Sequence, residues 1–398
     1  METPRSSSRR WLRPPRLRTL EHGTGERHAS WLELFFDLVL VVAIAQLAHL
    51  FAHHPDGFGA FVAAGLFAAV FLAWQGFTAY ADRFDTDDLP FRLATFVQML
   101  ALLAMGVMAA DVVSGRHAGF AVAFATLRAV LVALYARAYR HAPDARPLIR
   151  RYAGAYSVSV LLWLVSALLP DWWWATLWGI ALVLDLSMPP LNTRLHRSIP
   201  TDPAHLPERF GLFTIVVLGE LIVAVGIGTV EARWSASAVS AAVLGFAVAA
   251  CLWWLYFERL TGQELPRSPV PIVTYAYTHL PLLAALMFVA GGVSVLVRSE
   301  AQPAAGAWAL CAGVAVFLAS LALAHAQLLA PLPRWVNAAR WLCAVVILCI
   351  PLLVDAAVQV TGLTLGMLVA LVIFEGVMCK PAEQSTVDQT GAGPGSPE

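Results

Sequence analysis

The sequence has little charge and almost no lysine. Of its 398 residues, 13% are charged and 59% are hydrophobic, whereas a soluble globular domain carries roughly 25% charged residues. Lys380 is the single lysine among 26 basic residues, and 26 acidic residues balance them. This low charge excludes a chain that is mostly exposed to water. The zero net charge gives no indication of a nucleic-acid partner, so none is predicted.

The sequence also lacks the motifs of common catalytic and metal sites. Its five cysteines form no CxxC pair, and there is no Walker A motif, GxSxG elbow or HExxH helix. No polar segment is long enough to form a nucleotide-binding domain. We therefore predict no metal, no cofactor and no catalytic residues, and an enzyme is the less favoured class.

Long apolar runs dominate what remains. A membrane-spanning helix needs roughly 20 mostly apolar residues, and twelve segments meet or approach this length. They are 31–52, 59–79, 91–114, 118–139, 152–169, 171–188, 208–229, 235–257, 271–297, 306–329, 335–358 and 362–379. The sequence thus predicts an all-α, polytopic integral membrane protein with about twelve transmembrane helices.

Basic residues are distributed unevenly between the segments that join these runs. If the N-terminus lies in the cytoplasm, 22 of the 26 basic residues fall in cytoplasmic segments and three fall outside, at Arg116, Arg233 and Arg298. Such a bias follows the positive-inside rule. It predicts a multi-pass protein of the bacterial inner membrane with both termini in the cytoplasm. Residues 1–30, a basic arm, and residues 381–398 are predicted to be disordered.

A repeated motif divides the predicted helices into two sets. A Tyr-x-(Asp/Glu)-Arg pattern closes the second and eighth helices at a separation of 176 residues. The two copies are Tyr80, Asp82, Arg83 and Tyr256, Glu258, Arg259. We predict two parallel six-helix repeats, residues 31–188 and 208–380, joined by a cytoplasmic linker at 189–207. Chance similarity between two helix ends is the alternative.

Several polar residues lie inside the apolar runs. A charged side chain at the bilayer centre costs roughly 2.5–3.5 kcal/mol, so it needs a partner or a function. Glu33 and Asp37 share one face of the first helix, and Glu220 falls near the middle of the seventh. With Gln46 and His279, these residues are the candidates for a solute or ion pathway. Capping of the first helix by Glu33 and Asp37 is the structural alternative.

The candidate charge partners are Arg128, Glu208 and Arg209. Arg128 is the single basic residue in mid-span, and its candidate acids are Asp37, Asp111, Asp185 and Glu220. Glu208 suits the first turn of the seventh helix, and Arg209 follows it. Gly211, Gly219 and Gly226 recur along the same helix and predict a close-packed face.

Two segments resemble the signatures of a known family. Residues 30–39 read SWLELFFDLV, and residues 208–220 read ERFGLFTIVVLGE. Both are similar to the bacterial low-temperature-requirement A (LtrA) family, and the similarity extends from about residue 28 to 380. The resemblance implies a multi-pass bacterial membrane protein. It implies neither a reaction nor a substrate.

These observations favour a transporter or channel-like protein for a small solute or ion, with a proton as a candidate coupling ion. Its pathway would be lined by Glu33, Asp37 and Glu220, with Arg128 or His279 balancing their charge. The expected partners are the lipid bilayer and the solute, and the oligomeric state is left open. A membrane-embedded enzyme acting on a lipid, with a site near Tyr80–Asp88, is one alternative. A cold or envelope-stress accessory protein is another.

Overall fold

The computed structural model describes residues 11–17, 30–170, 173–198, 205–231, 233–260, 265–266, 268–298, 303–329 and 332–378. Over these ranges the chain forms thirteen α-helices and one pair of two-residue strands. The strands are β1 (Arg16–Leu17) and β2 (Phe84–Asp85). The helices are α1 (Trp31–His53), α2 (Gly57–Arg83), α3 (Leu89–Val113), α4 (Ala118–His141), α5 (Arg146–Ser166), α6 (Trp173–Leu191), α7 (Thr193–Ser198), α8 (His205–Glu231), α9 (Ala236–Leu260), α10 (Pro269–Arg298), α11 (Pro303–His325), α12 (Arg334–Leu353) and α13 (Ala357–Met378).

Twelve of the helices have the length of a membrane span, and α7 is a short connecting helix. Eleven of the twelve are also apolar enough to cross a membrane. The exception is α5, because Arg146, Arg150 and Arg151 occupy its first two turns and leave a shorter apolar stretch after them. The predicted fold class is confirmed: the protein is an all-α, polytopic membrane protein.

The helices form two sets of six with the same order of packing. In the first set α1 packs on α2 and α3, and then α3, α4, α5 and α6 pack in succession. In the second set α8 packs on α9 and α10, and then α10 to α13 pack in succession. Because five membrane-length helices of alternating direction, α2 to α6, separate α1 from α8, both begin at the same side of the molecule. We call this side the N-terminal face.

The two sets meet mainly through α1, α8 and α10. Helix α1 contacts α8 and α10, and α10 also contacts α2, α6 and α7. Helix α10 is the most buried of the spans. Its close approach to α11 requires glycine, since a Cβ at Gly292 would lie 2.7 Å from the backbone nitrogen of Leu310. The predicted close-packed face of α8 is different: Gly219 and Gly226 have open space where a Cβ would be.

Part of the arm that was predicted to be disordered has a defined path. Over residues 11–17 the chain crosses the loop between α2 and α3, with Leu17 paired to Phe84 and Arg16 to Asp85. The backbone nitrogen of Arg13 donates to the Asp88 carboxylate at 3.0 Å. The prediction was wrong for these seven residues, because the loop offers them backbone and carboxylate partners. The rest of the arm and residues 381–398 lie outside the described residues.

The linker predicted at 189–207 is shorter and partly helical. Helix α6 continues through Pro189 and Pro190 to Leu191, and α7 follows after one residue. The Asn192 side chain donates to the Met188 carbonyl at 2.7 Å, which satisfies a backbone acceptor at the end of α6. Helix α8 begins at His205, three residues before the prediction.

Candidate functional site

A buried charge cluster joins the first helices of the two sets. The guanidinium of Arg209, on α8, lies 3.0 Å from each carboxylate oxygen of Asp37 on α1, through Nη1 and Nη2. Its Nη1 also lies 3.7 Å from Glu33 Oε2. All three side chains are buried. The two segments that resemble the LtrA signatures therefore contact each other in the folded protein.

Helix α2 supplies the neutral wall of this cluster. Trp74 Nε1 donates to Asp37 Oδ1 at 2.8 Å, and Arg209 Nη2 donates to the Thr78 hydroxyl at 3.5 Å. The guanidinium lies 5.7 Å from the Trp74 ring centre, within the range of a cation–π contact. These contacts fix the Arg209–Asp37 geometry from a third helix.

His205 connects the cluster to the start of α8. Its Nε2 lies 3.6 Å from Glu33 Oε2, and its Nδ1 lies 3.6 Å from Glu208 Oε2. Glu33 is in the first turn of α1, where Ser30 accepts a hydrogen bond from its backbone nitrogen at 3.3 Å. Among the described residues, the buried centre thus places two carboxylates against one guanidinium. The imidazole of His205 lies beside them.

A cavity of about 170 Å³ lies next to the cluster. Residues of α2, α4, α5, α6, α7, α8 and α10 form its wall, so both helix sets contribute. Trp74, Thr78 and His205 belong to the cavity wall and also contact the cluster. Three predicted residues line the cavity: Asp82, Arg83 and Arg128.

One side of the cavity carries a chain of three hydrogen-bonded side chains. Arg83 Nη2 lies 2.8 Å from His196 Nδ1, and His196 Nε2 lies 2.9 Å from the Tyr152 hydroxyl. Because arginine only donates, Nδ1 is the acceptor and the ring proton is on Nε2. Burial, and to a smaller extent the nearby Arg83 charge, lowers the pKa of His196 from 6.5 to about 3, so the imidazole is neutral.

Another side of the cavity carries a buried ion pair. Arg128 Nη2 lies 3.0 Å from Asp185 Oδ2, and both side chains are 1% exposed. The Ser159 hydroxyl donates to the same carboxylate at 3.2 Å. Tyr156 covers the guanidinium, with its ring centre 4.5 Å away. Arg128 thus pairs with Asp185, one of the four acids considered for it. It does not balance Glu33, Asp37 or Glu220, which corrects that part of the pathway hypothesis.

The predicted pathway residues do not converge on one cavity. Glu33 and Asp37 meet at the cluster, but Glu220 lies eleven residues beyond Arg209 on α8, or about 16 Å along the helix. Glu220 is buried and makes no hydrogen bond or ion pair with any residue in the described ranges. Gln46 is half-buried and also makes none there.

Among the described residues, His279 is paired with no carboxylate either. Its Nε2 accepts a hydrogen bond from the Tyr256 hydroxyl at 3.0 Å, and its Nδ1 donates to the Tyr275 carbonyl at 2.8 Å. Its ring packs 4.4 Å from the ring of Phe210. A neutral imidazole satisfies all these contacts, through which His279 links α8, α9 and α10.

The two copies of the repeated motif make different contacts. Tyr80 donates to the Leu134 carbonyl at 3.3 Å, whereas Tyr256 donates to His279. Asp82 is buried, and its counterpart Glu258 is exposed. Arg259 donates to the Glu375 carbonyl at 2.9 Å, beside an ion pair in which Arg340 Nε lies 2.7 Å from Glu375. The copies share their place at a helix end and not their chemistry.

The acidic segment considered for an enzyme site forms caps and surface pairs. Asp88 accepts a hydrogen bond from the Phe91 backbone nitrogen at 3.2 Å and thereby caps α3. Asp87 pairs with Arg92 at 2.8 Å, and this hydrogen bond holds the pKa of Asp87 below its usual value. The side chain of Asp85 lies outside the described part of the chain. Asp87 and Asp88 thus face different partners and share no common point.

Sequence reasoning missed several residues of the cavity wall. Tyr152, Tyr156, His196 and His205 were not singled out. The available signal was the position of both histidines, which flank the connection between the two helix sets. Within the described ranges, no three His, Cys, Asp or Glu side chains are grouped so that they could hold a metal ion.

A comparison with known families supports the resemblance that the two contacting segments suggest. The model of the family described as "Bacterial low temperature requirement A protein (LtrA)" matches residues 28–374. The chain belongs to this family. Among curated proteins, this LtrA-family chain is 28% identical over 301 residues to "Uncharacterized protein RA0937" of Rhizobium meliloti (strain 1021). The matched part covers 71% of each chain.

Proposed function

We propose that this LtrA-family protein is a transporter for a small solute, coupled to protons. The observation that carries the proposal is the cavity of about 170 Å³ between the two helix sets, beside a buried charge cluster that joins them. The cavity is the solute site. The proton site is the charge cluster of Glu33, Asp37 and Arg209, together with His205 beside it.

The position of the cavity supports transport. In transporters built from two helix sets, the solute site lies where the sets meet, and rocking of one set against the other opens it to either side. Here the wall combines helices of the first set with α8 and α10 of the second. Relative movement of the sets would change the shape of this cavity directly.

The charges of the cluster support coupling to a proton. Asp37 is faced by Glu33 on its own helix, by Trp74 and Thr78 on α2, and by Arg209 on α8. The carboxylates of Asp37 and Glu33 repel each other on one helix face, and Arg209 attracts both. A proton on one of these carboxylates would remove the repulsion and weaken the attraction of that carboxylate to Arg209. Trp74 and Thr78 then transmit the change of charge to the cavity, since they contact both.

We place the protein in the bacterial inner membrane with the N-terminal face in the cytoplasm. The family is bacterial by its description, and the loops at this face hold most of the basic residues. The cavity and the cluster then lie in the cytoplasmic half of the bilayer.

Flux into proteoliposomes tests the proposal. Vesicles with a trapped pH dye receive one external solute at a time: inorganic phosphate, benzenesulfonate, glucose or choline. An inward proton gradient is present, and potassium with valinomycin clamps the voltage. We expect at least one solute to raise the rate of internal acidification severalfold above that in protein-free vesicles. Asp37→Asn should remove the solute-dependent part.

Glu258→Gln is the matched control, because Glu258 is an exposed carboxylate near the same face. Its vesicles should behave as the wild type does. Acidification that no solute accelerates would refute transport coupled to protons. Full solute-dependent acidification in Asp37→Asn would refute the assignment of the proton site.

A further inference from the structure

The polar groups of the cavity wall are mainly hydrogen-bond donors. Arg83 and Arg128 line the cavity and hold buried N–H groups with no acceptor among the described residues. These groups are Nε of Arg83 together with Nε and Nη1 of Arg128. Buried donors without acceptors are rare and costly in folded proteins. They therefore point to a ligand that brings acceptors.

Tyr152 adds a further donor. Its hydroxyl oxygen accepts the Nε2 proton of His196, because His196 Nδ1 already accepts from Arg83. The hydroxyl hydrogen of Tyr152 is not used in that contact, and it forms no other hydrogen bond with a described residue. The Arg83–His196–Tyr152 chain therefore presents an O–H donor at the cavity wall.

The charge of the wall is positive. Its ionised side chains are Arg83, Arg128 and Arg197 against Asp82 and Asp185, which leaves one positive charge when the histidines are neutral. Asp185 Oδ2 is already engaged by Arg128 and Ser159, and its Oδ1 is the one acceptor of this ion pair that has no hydrogen-bond partner among the described residues. Gly76 provides the space for this arrangement, since a Cβ there would lie 2.5 Å from Arg128 Nη1.

The rest of the wall is apolar and aromatic. Trp74 and Phe210 pack edge to face at 5.2 Å, and Ile272, Val273 and Ala276 of α10 complete this side. We propose that the cavity binds a small organic anion, with its carboxylate or phosphate held by Arg83, Arg128 and Tyr152 and its apolar part against Trp74 and Phe210. Oxyanions accept several N–H and O–H donors at once, as this site requires. The inference rests on the proposed function and names its substrate class.

Binding by the purified full-length protein in detergent tests the inference without any gradient. The probes are benzoate, phenyl phosphate, inorganic phosphate and the neutral benzamide, and the readouts are thermal stabilisation and titration calorimetry. We expect benzoate or phenyl phosphate to bind, which also distinguishes the carboxylate from the phosphate. Benzamide and inorganic phosphate should bind at least tenfold more weakly, because each lacks one half of the ligand.

Variants separate a built site from general affinity for anions. Tyr152→Phe should weaken binding of the preferred anion roughly tenfold, the value of one hydrogen bond to a charged group. Tyr139→Phe removes a hydroxyl from the same face without touching the cavity wall, and its affinity should equal that of the wild type. Arg128→Lys keeps the charge and loses two of the donors, so it should also weaken binding.

Three results would overturn the inference: equal binding of benzamide and benzoate, no binding of either organic anion, or wild-type affinity in both Tyr152→Phe and Arg128→Lys. Equal affinity for inorganic and phenyl phosphate would refute the apolar part of the site. Anion binding without solute-dependent flux would refute the transport proposal and leave this inference standing. Flux of glucose or choline without anion binding would refute this inference and leave the transport proposal standing.

Discussion

Arg209 links α8 to α1 through its contacts with the Asp37 and Glu33 carboxylates. Without its guanidinium, Asp37 and Glu33 would remain buried with two carboxylates on one helix face. We expect Arg209→Met to destabilise the protein by about 3–5 kcal/mol, as removal of one partner from a buried ion pair does. The apparent melting temperature in detergent measures this loss.

Two further variants check that interpretation. Arg209→Met with Asp37→Leu should recover part of the stability, since removing both partners costs less than removing one. Arg92→Gln breaks the exposed pair with Asp87 and should leave the melting temperature nearly unchanged. Equal losses of melting temperature in Arg209→Met and Arg92→Gln would show that the buried pair contributes no more to stability than an exposed pair.

Gly76 controls the position of the Arg128 guanidinium. A methyl group at residue 76 would lie 2.5 Å from Arg128 Nη1, so the guanidinium must shift away from α2. We expect Gly76→Ala to fold and to weaken binding of benzoate or phenyl phosphate several-fold, measured by calorimetry. Gly65→Ala, on the same helix and with open space at its Cβ, is the control. Unchanged affinity in Gly76→Ala would separate Arg128 from the anion site.

The lowered pKa of His196 makes the stability of the folded protein depend on pH. The folded protein lowers the pKa of His196 from 6.5 to about 3 through burial and the Arg83 charge. In this window the unfolded chain binds the proton more readily, so stability is lost as the pH falls from about 6.5 towards 3. His196→Gln should therefore show a smaller loss of melting temperature between pH 7 and pH 5 than the wild type. Equal losses would contradict the neutral assignment.

Individual residues show what the sequence can predict about the site. Glu33, Asp37 and Arg128 were found because a charge in an apolar run is costly and so conspicuous. Arg209 and Asp185 were among the candidate partners, but the sequence could not predict which charges pair, since Arg209 and Asp37 are 172 residues apart. Tyr152 gave no signal, and His196 gave only its position beside the connection between the helix sets, because a tyrosine and a histidine beside arginines are ordinary at a membrane surface.

The helices themselves were predictable from apolar runs, and their ends were less so. Helix α2 runs to Arg83, four residues past the prediction, because Asp82 and Arg83 are buried against other helices and need no water. Helix α5 begins at Arg146, six residues early, since long arginine side chains can extend from a helix end into the headgroups. The close-packed face predicted from the glycine spacing on α8 was wrong, because open space remains at two of the three glycine positions.

Asp88 organises the elements at the N-terminal face. It caps α3, accepts from the Arg13 backbone and pairs with the Arg137 side chain at 2.5 Å. We expect Asp88→Ala to lower stability by at least about 1 kcal/mol, the usual value of a helix cap. It should also release residues 11–17 from the α2–α3 loop. Faster hydrogen exchange at residues 84–89 and cleavage after Arg16 by trypsin would report the release.

Asp56→Ala provides the comparison, because Asp56 caps α2 and makes no contact with residues 11–17. It should cost similar stability without any new cleavage after Arg16. Cleavage in both variants would mean that the segment responds to general loss of stability and not to Asp88.

The whole molecule concentrates its buried charge towards one face. Among the described residues, the pairs Asp37–Arg209 and Arg340–Glu375 both lie near the N-terminal ends of α1, α8 and α12. The pair Arg128–Asp185 lies deeper, in the middle of α4. The opposite half of the bundle is mainly apolar. The sequence predicted the uneven distribution of basic residues between the loops. Which helices meet at that face depends on packing between distant segments.

The same asymmetry predicts how the protein is oriented in the cell. Arg116 lies in the turn between α3 and α4, and Asp144 lies in the turn between α4 and α5, so one helix separates two exposed positions. Single-cysteine variants Arg116→Cys and Asp144→Cys, in a background without the native cysteines, report the two faces. In intact cells an impermeant maleimide should label Arg116→Cys alone, and permeabilisation should expose Asp144→Cys. The reverse pattern would invert the topology and place the cavity in the outer half of the bilayer. Labelling of both variants in intact cells would mean that α4 does not cross the membrane, and the six-helix division would then fail.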